Sequence, residues 1–188
     1  MATTCDYLLD ATIKGIDCAN PLVKGVENIG KIINRADINL DGVEYDASNI
    51  NTISAMPLKN DKVAYDIIQP SKTPFSGTQT EMVEGTYQNT FTHTLSFVIL
   101  NHGNNIAKVI DELANGEFVV ILKNKKVESG SPYQIYGIDG GLTASAMVRE
   151  LYNDDTLAGW QVTMTEVEVA KSATFVDATI VEGFSSVS

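Results

Sequence analysis

The sequence has little cysteine, little histidine and a single tryptophan: two, two and one residues in 188. Two cysteines, Cys5 and Cys18, cannot staple a disulfide-dense scaffold, so a hydrophobic core has to hold the chain. Free thiols are the plain reading of the pair, and one disulfide is the alternative. The histidines, His93 and His102, have no cysteine or carboxylate at metal-ligand spacing beside them, which argues against a zinc centre. Basic residues are also scarce. Thirteen Lys and Arg against 24 Asp and Glu leave a formal charge of −11, unsuited to gripping nucleic acid through its phosphates. No apolar run reaches the roughly 18 residues of a membrane helix, and residues 1–10 lack the basic start and apolar stretch of a secretory signal. Neither export nor a membrane anchor is expected.

What is present is the composition of a folded domain, 44% hydrophobic and 20% charged. A chain of this length suits one core, and the pattern divides it into a β domain over residues 1–170 and a C-terminal arm over 171–188. Residues 25–40 (GVENIGKIINRADINL) carry isoleucine on both alternating sets, the mark of a mostly buried strand. Residues 51–57 and 62–69 flank the turn-like Lys59-Asn60-Asp61 and read as a hairpin. Proline, serine and glycine in residues 70–77 (PSKTPFSG) oppose a continuing ladder and predict a loop.

The clearest strand is residues 89–100. Phe91, His93, Leu95, Phe97 and Ile99 fall on one side, and Thr90, Thr92, Thr94 and Ser96 form a wet face on the other. Residues 104–115 predict a helix, with Ile106, Val109, Ile110 and Leu113 forming one apolar stripe against the sheet. Asn104 or Asn105 would cap its start, and Gly116 would stop it in the left-handed conformation. Residues 117–123, 133–138, 142–151 and 160–169 are strand-like. About eight strands to one helix predict a mainly β (α+β) fold, an antiparallel β-sandwich or barrel with one flanking helix. The Ser- and Ala-rich residues 171–188 read as an extended arm that orders on a neighbour.

The motifs that carry chemistry elsewhere are incomplete here. Asp37, Asn39 and Asp41 with Gly42 match the first half of a calcium loop, but Ser48 stands where the bidentate Glu belongs, so a plain turn competes with the ion site. His93 lies on an apolar strand face and His102 beside a turn glycine. No nucleophile elbow or Cys-His signature is present, and Ser185, Ser186 and Ser188 cluster only in the tail. Asp111-Glu112 and Asp154-Asp155 read as solvated carboxylates. Gly137-Ile-Asp139-Gly140-Gly141 lacks the spacing of a dinucleotide fingerprint and reads as a hairpin turn. Lys123-Asn-Lys125-Lys126 is the one basic cluster, an exposed hairpin end able to pair with an acidic neighbour. The expectation is a non-enzyme without cofactor.

Four segments, in order, carry a family resemblance: Cys18-Ala-Asn20-Pro21, Ile33-Asn34-Arg35-Ala36-Asp37-Ile38, Leu113-Ala114-Asn115-Gly116 and Tyr136-Gly137-Ile138-Asp139-Gly140-Gly141-Leu142. Together they resemble tail-tube-like virion proteins from phages and prophages of Bacteroides-type bacteria, across residues 5–169. The chain departs from that pattern between Asn60 and Gly77 and in its C-terminal arm. The resemblance implies a virion subunit, made in the bacterial cytoplasm, that forms homo-oligomeric, hexameric rings stacked around a channel for DNA. Its partners would be itself and other tail proteins, with DNA passing unbound and no membrane involved. Thr90, Thr92, Thr94 and Ser96 are candidates for the inner wall, although an outer, solvent-facing sheet is an equal reading. Ser71, Lys72, Thr73, Pro74, Phe75 and Ser76 are candidates for an inter-subunit loop that orders on assembly, so their deletion is expected to spare the fold. Another virion component, such as a connector or capsid-associated protein, and a monomeric small-ligand β-barrel are the alternatives.

Overall fold

The computed structural model describes residues 23–101, 103–127, 130–152, 154 and 156–187. Cys5, Cys18, His102, Asp155, Ser188 and the first of the four resembling segments lie outside them. The described residues build a mainly β protein of two sheets. The larger contains β1 (Val26–Asn34), β2 (Glu44–Tyr45), β3 (Thr52–Ala55), β4 (Ala64–Ile68), β7 (Phe118–Asn124), β8 (Tyr133–Tyr136), β11 (Thr174–Val176) and β12 (Ser186–Val187). Its spatial order is β12-β4-β1-β7-β8-β11-β3-β2. The smaller contains β5 (Gln79–Val83), β6 (Thr90–Ile99), β9 (Thr143–Arg149) and β10 (Trp160–Val169), in the order β5-β6-β10-β9. Helix α1 (Asn104–Asn115) packs beside β9, and the short α2 (Ala178–Gly183) lies near the C-terminus. This is a β-sandwich with a flanking helix, and neither sheet closes into a barrel.

Strand β7 explains why the layers sit as they do. Its run Phe118-Val-Val-Ile-Leu122 is buried throughout because each face meets a different core. Phe118, Val120 and Leu122 face the small sheet and join Leu95, Phe97, Leu113, Val162 and Met164. Val119 and Ile121 face the other way and join Ile33, Ile53, Ala64, Ile135, Val176 and Val181. That second core gathers residues from both ends of the large sheet. Five strand spacings separate β3 from β4, about 24 Å if the sheet were flat. Ile53 of β3 and Ala64 of β4 nevertheless share one cluster, so the sheet curls around it.

The curl corrects the hairpin expected across residues 51–69. Strands form in both runs, but β3 pairs with β2 and β11, and β4 pairs with β1 and β12. The turn at Lys59 is real, since Lys62 N–H bonds the Lys59 carbonyl. Its flanks diverge because the Ile38–Leu58 bridge and the bond from Lys59 N–H to the Asp37 carbonyl tie residues 57–59 to another segment. The long strand expected over residues 25–40 ends at Asn34, where 3-10 turns at Arg35–Asp37 and Leu40–Gly42 take over.

The C-terminal residues are corrected as well. They do not form an arm: β11 inserts between β8 and β3, α2 buries Val181, and β12 pairs with β4. Thr174 and Val176 are buried on one parity of β11, and Asp177 Oδ1 accepts the Thr179 N–H to start α2. In α1 the N-cap is Gly103, not an asparagine, and Ala107 N–H bonds its carbonyl. Ile110 and Leu113 are buried, Ile106 is half-buried, and Val109 is exposed, so the stripe packs only along part of its width. Gly116 is extended (φ −97°), not left-handed. Glycine is needed there for space, because a Cβ would lie 2.5 Å from the Phe118 ring.

Candidate functional site

The small sheet offers an organised surface across its four strands. One face is the core; the other carries polar rows across the middle of the sheet, with Val98 and Val148 beside Gln161 at one end and Val83 beside Thr90 at the other. Register places Gln79, Thr94, Thr165 and Thr143 in one row, and Ser96, Thr163 and Ala146 in the next. Alternation in β6 produces this, since its Leu95 and Phe97 must face inward. Thr90, Thr92 and Thr94 are half-buried within the sheet, as central-strand threonines are when flanked on both sides. Ser96 is only 7% exposed, a correction to its place on a wet wall. Thr78 crosses over it, its Oγ1 accepting the Ser96 N–H at 3.2 Å, and Thr163 Oγ1 lies 3.5 Å from its hydroxyl.

Both outer strands of this sheet have one side without a strand partner among the described residues. All five residues of β5 are exposed, and most of β9 is. Every neighbouring pair is antiparallel, so with four strands the two edges run in opposite directions. Sequence reasoning missed β5: QTEMV has one apolar pair at its end and no buried side to show a pattern. Its hairpin with β6 ends at residues 84–89 and holds Tyr87 fully exposed. Gly85 is confined by the turn itself, where an added Cβ would run into the Gln88 carbonyl oxygen.

The loop over residues 70–77 behaves differently from expectation. Ser71, Lys72, Thr73 and Ser76 are exposed and Pro74 is half-buried, but Phe75 is 3% exposed and belongs to the core between the sheets. Phe75 is therefore corrected from a contact residue to an anchor, and deleting 71–76 would remove part of the core.

Three polar clusters lie elsewhere in the fold. Asp37, Asn39 and Asp41 line an open cleft of about 930 Å³, shared with Lys59, Lys62 and Glu117. Asp37 Oδ2 accepts from Asn34 Nδ2 at 2.8 Å, and Lys62 Nζ stands 3.1 Å from Oδ1. The Asn34 bond, aided by Lys62, holds the Asp37 carboxyl below its ordinary range despite burial. The Lys62 ammonium thus takes the place beside Asp37 where the loop reading would put calcium. Among the described residues no group of three or more His, Cys, Asp or Glu side chains is arranged to hold a metal.

His93 is buried, with Nδ1 2.8 Å from Thr80 Oγ1 and its ring edge-on to Tyr136 at 5.6 Å. Burial pushes the Tyr136 hydroxyl up to about 12. Opposite His93 on β10 stands Glu166, 3% exposed, which accepts the N–H groups of Gly137 and Gly140, each at 2.7 Å. This carboxylate organises the glycine turn after β8. Gly137 has φ 87°, and an added Cβ would collide with the Phe118 carbonyl oxygen. Sequence reasoning missed Glu166, although a charge on the same parity as Val162 and Met164 was a usable signal. Both oxygens being committed to backbone, Glu166 is a structural anchor.

Fold and site define a two-sheet β protein whose small sheet ends in two oppositely directed outer strands, each with one side lacking a strand partner among the described residues. No protein-family model matches the chain, and no curated protein or solved structure is significantly similar to it. No helix among the described residues is long and apolar enough to cross a membrane.

Proposed function

We propose that this chain is a virion structural subunit of the tail-tube type, assembling through β5 and β9 into rings that stack around a channel for DNA. The observation that carries the reading is the opposed direction of the two open edges. When copies are related by rotation about an axis along the strands, β9 of one meets β5 of the next antiparallel, and every joint repeats the last. Such a heterologous contact closes a ring when the rotation divides a full turn, and it satisfies edges that would otherwise invite aggregation. The resemblance carried by residues 33–38, 113–116 and 136–142 points the same way, and it implies a hexamer. The threonine rows would form one wall of the ring. They carry Glu81 at the β5 edge and no cation among the residues in register with Thr92, Thr94 and Ser96, a surface over which phosphate can slide.

Light scattering and negative-stain microscopy over a concentration range test this. Rings are expected from the wild-type chain. A variant carrying Ala146→Lys and Val148→Lys, both exposed on β9, is expected to keep its thermal unfolding midpoint and lose the rings, because lysine guards an edge against pairing. A wild-type chain that stays monomeric at every concentration overturns the reading.

A further inference from the structure

The core inside the curl of the large sheet stops short of the ends of its strands. On that face the last covered row crosses β4, β1, β7 and β8 as Asp66, Lys31, Ile121 and Ile135. Ile121 and Ile135 are buried, and Lys31 Nζ donates to Asp66 Oδ1 at 2.9 Å. Two residues further along each strand, on the same face, the next row holds the cross-strand pair Ile68 and Ile29, then Lys123 opposite Tyr133. Ile29 and Lys123 both adjoin the Gly30–Leu122 pair on its outer side. Here the covering ends: Ile68 is 67% and Ile29 50% exposed. Two branched aliphatic side chains held side by side in water are an unmet source of burial.

Positive charge surrounds this pair although the chain carries −11 overall. Lys123 is exposed, its Nζ 5.4 Å from the centre of the Tyr133 ring, a contact that leaves its charge intact. Lys24 and Lys125 are exposed at the same strand ends, where Lys125 N–H bonds the Gly25 carbonyl at 3.1 Å. Of the acids on β1 and β4, Asp66 is paired with Lys31 and Glu27 is half-buried; β7 carries none. We propose that this rim of the curled sheet is the docking surface for a segment of another protein, one in which a carboxylate lies beside aliphatic side chains. The aliphatic groups cover Ile68 and Ile29, and the carboxylate meets Lys123 one strand spacing further on, about 5 Å across the sheet. The isoleucines are too open to enclose a small molecule, whose sites are concave. They also lie on a sheet face, whereas a bilayer takes its apolar side chains from an amphipathic helix or a protruding loop. The rim belongs to the large sheet, apart from the β5 and β9 edges of the ring reading.

The test is an anisotropy titration with a short labelled peptide alternating valine and glutamate, beside a valine–lysine peptide of the same pattern. The valine–glutamate peptide is expected to bind the wild-type chain saturably, and the valine–lysine peptide is not. Ile29→Thr with Ile68→Thr should weaken binding about tenfold. Lys123→Glu should weaken it similarly and let the valine–lysine peptide bind instead. All three positions are exposed, so unfolding midpoints should stay close to wild type. No saturable binding to the wild-type chain, or unchanged affinity in the double isoleucine variant, overturns the proposal. So does sedimentation in which that variant loses self-association, which would give the rim to a second copy. Flotation with phosphatidylserine vesicles that the same variant abolishes would give it to a membrane and overturn the proposal as well.

Discussion

Phe75 sits at φ 53° in a loop whose Ser71, Lys72, Thr73 and Ser76 are exposed, and its ring reaches across to Gly30 and Leu122. A Cβ at Gly30 would lie 2.9 Å from that ring, so the glycine makes room for the phenylalanine. Removing such a buried ring leaves a cavity, and Phe75→Ala should cost about 3–5 kcal/mol in chemical denaturation. A loss below half a kcal/mol would return the residue to the surface. Tyr136 offers a second measurement. Its hydroxyl is pushed from 10.0 to about 12 by burial, so the folded state holds the proton more tightly than the unfolded one. That contribution is fully present below pH 10 and is lost as pH rises through the folded value near 12. Stability measured by denaturation from pH 9 to pH 12 should fall, and Tyr136→Phe, which cannot ionise, should flatten the fall.

Strand β11 carries more of the large sheet than its three residues suggest. It lies between β8 and β3, so β3 and β2 reach the rest of the sheet through it. The following α2 fills the curl with Val181, and Ile180 and Phe184 pack around it. A chain ending at residue 170 should therefore lose cooperative unfolding and become rapidly cleaved by protease, whereas an arm that orders on a neighbour could be removed without harm. A truncated chain with the wild-type midpoint would contradict the observed packing. The C-terminal elements were hard to read because each is shorter than the window over which a period shows, and two of their pairings are parallel and distant in sequence. The bounds of strand β10 were legible, since Trp160, Val162 and Met164 alternate onto one core, although Glu166 and a register shift before Val169 interrupt that side.

The acidic excess acts through the whole molecule. With a net charge of −11, long-range attraction to DNA phosphates is absent, as the proposed channel role would require. Double-stranded DNA should show no measurable binding at moderate salt in an anisotropy titration. Tight binding that weakens steeply with salt would mark a nucleic-acid-binding protein instead.

Local pattern was sufficient for the fold class, for the strands β6, β7 and β10, and for α1, because alternation and the helical stripe report directly which side chains leave water. The polar threonine face and the glycine turn were legible for the same reason. Pairing was not. Whether residues 52–55 and 64–68 meet each other or separate to opposite ends of a curled sheet depends on which distant strands offer a better-buried edge, and neither run contains that information. The same holds for Phe75, whose polar neighbours hide an anchor, and for Glu166, whose partners are backbone N–H groups of a turn 26 to 29 residues away. Periodicity measures burial along one segment; partner, edge and end are relations between segments, and only packing creates them.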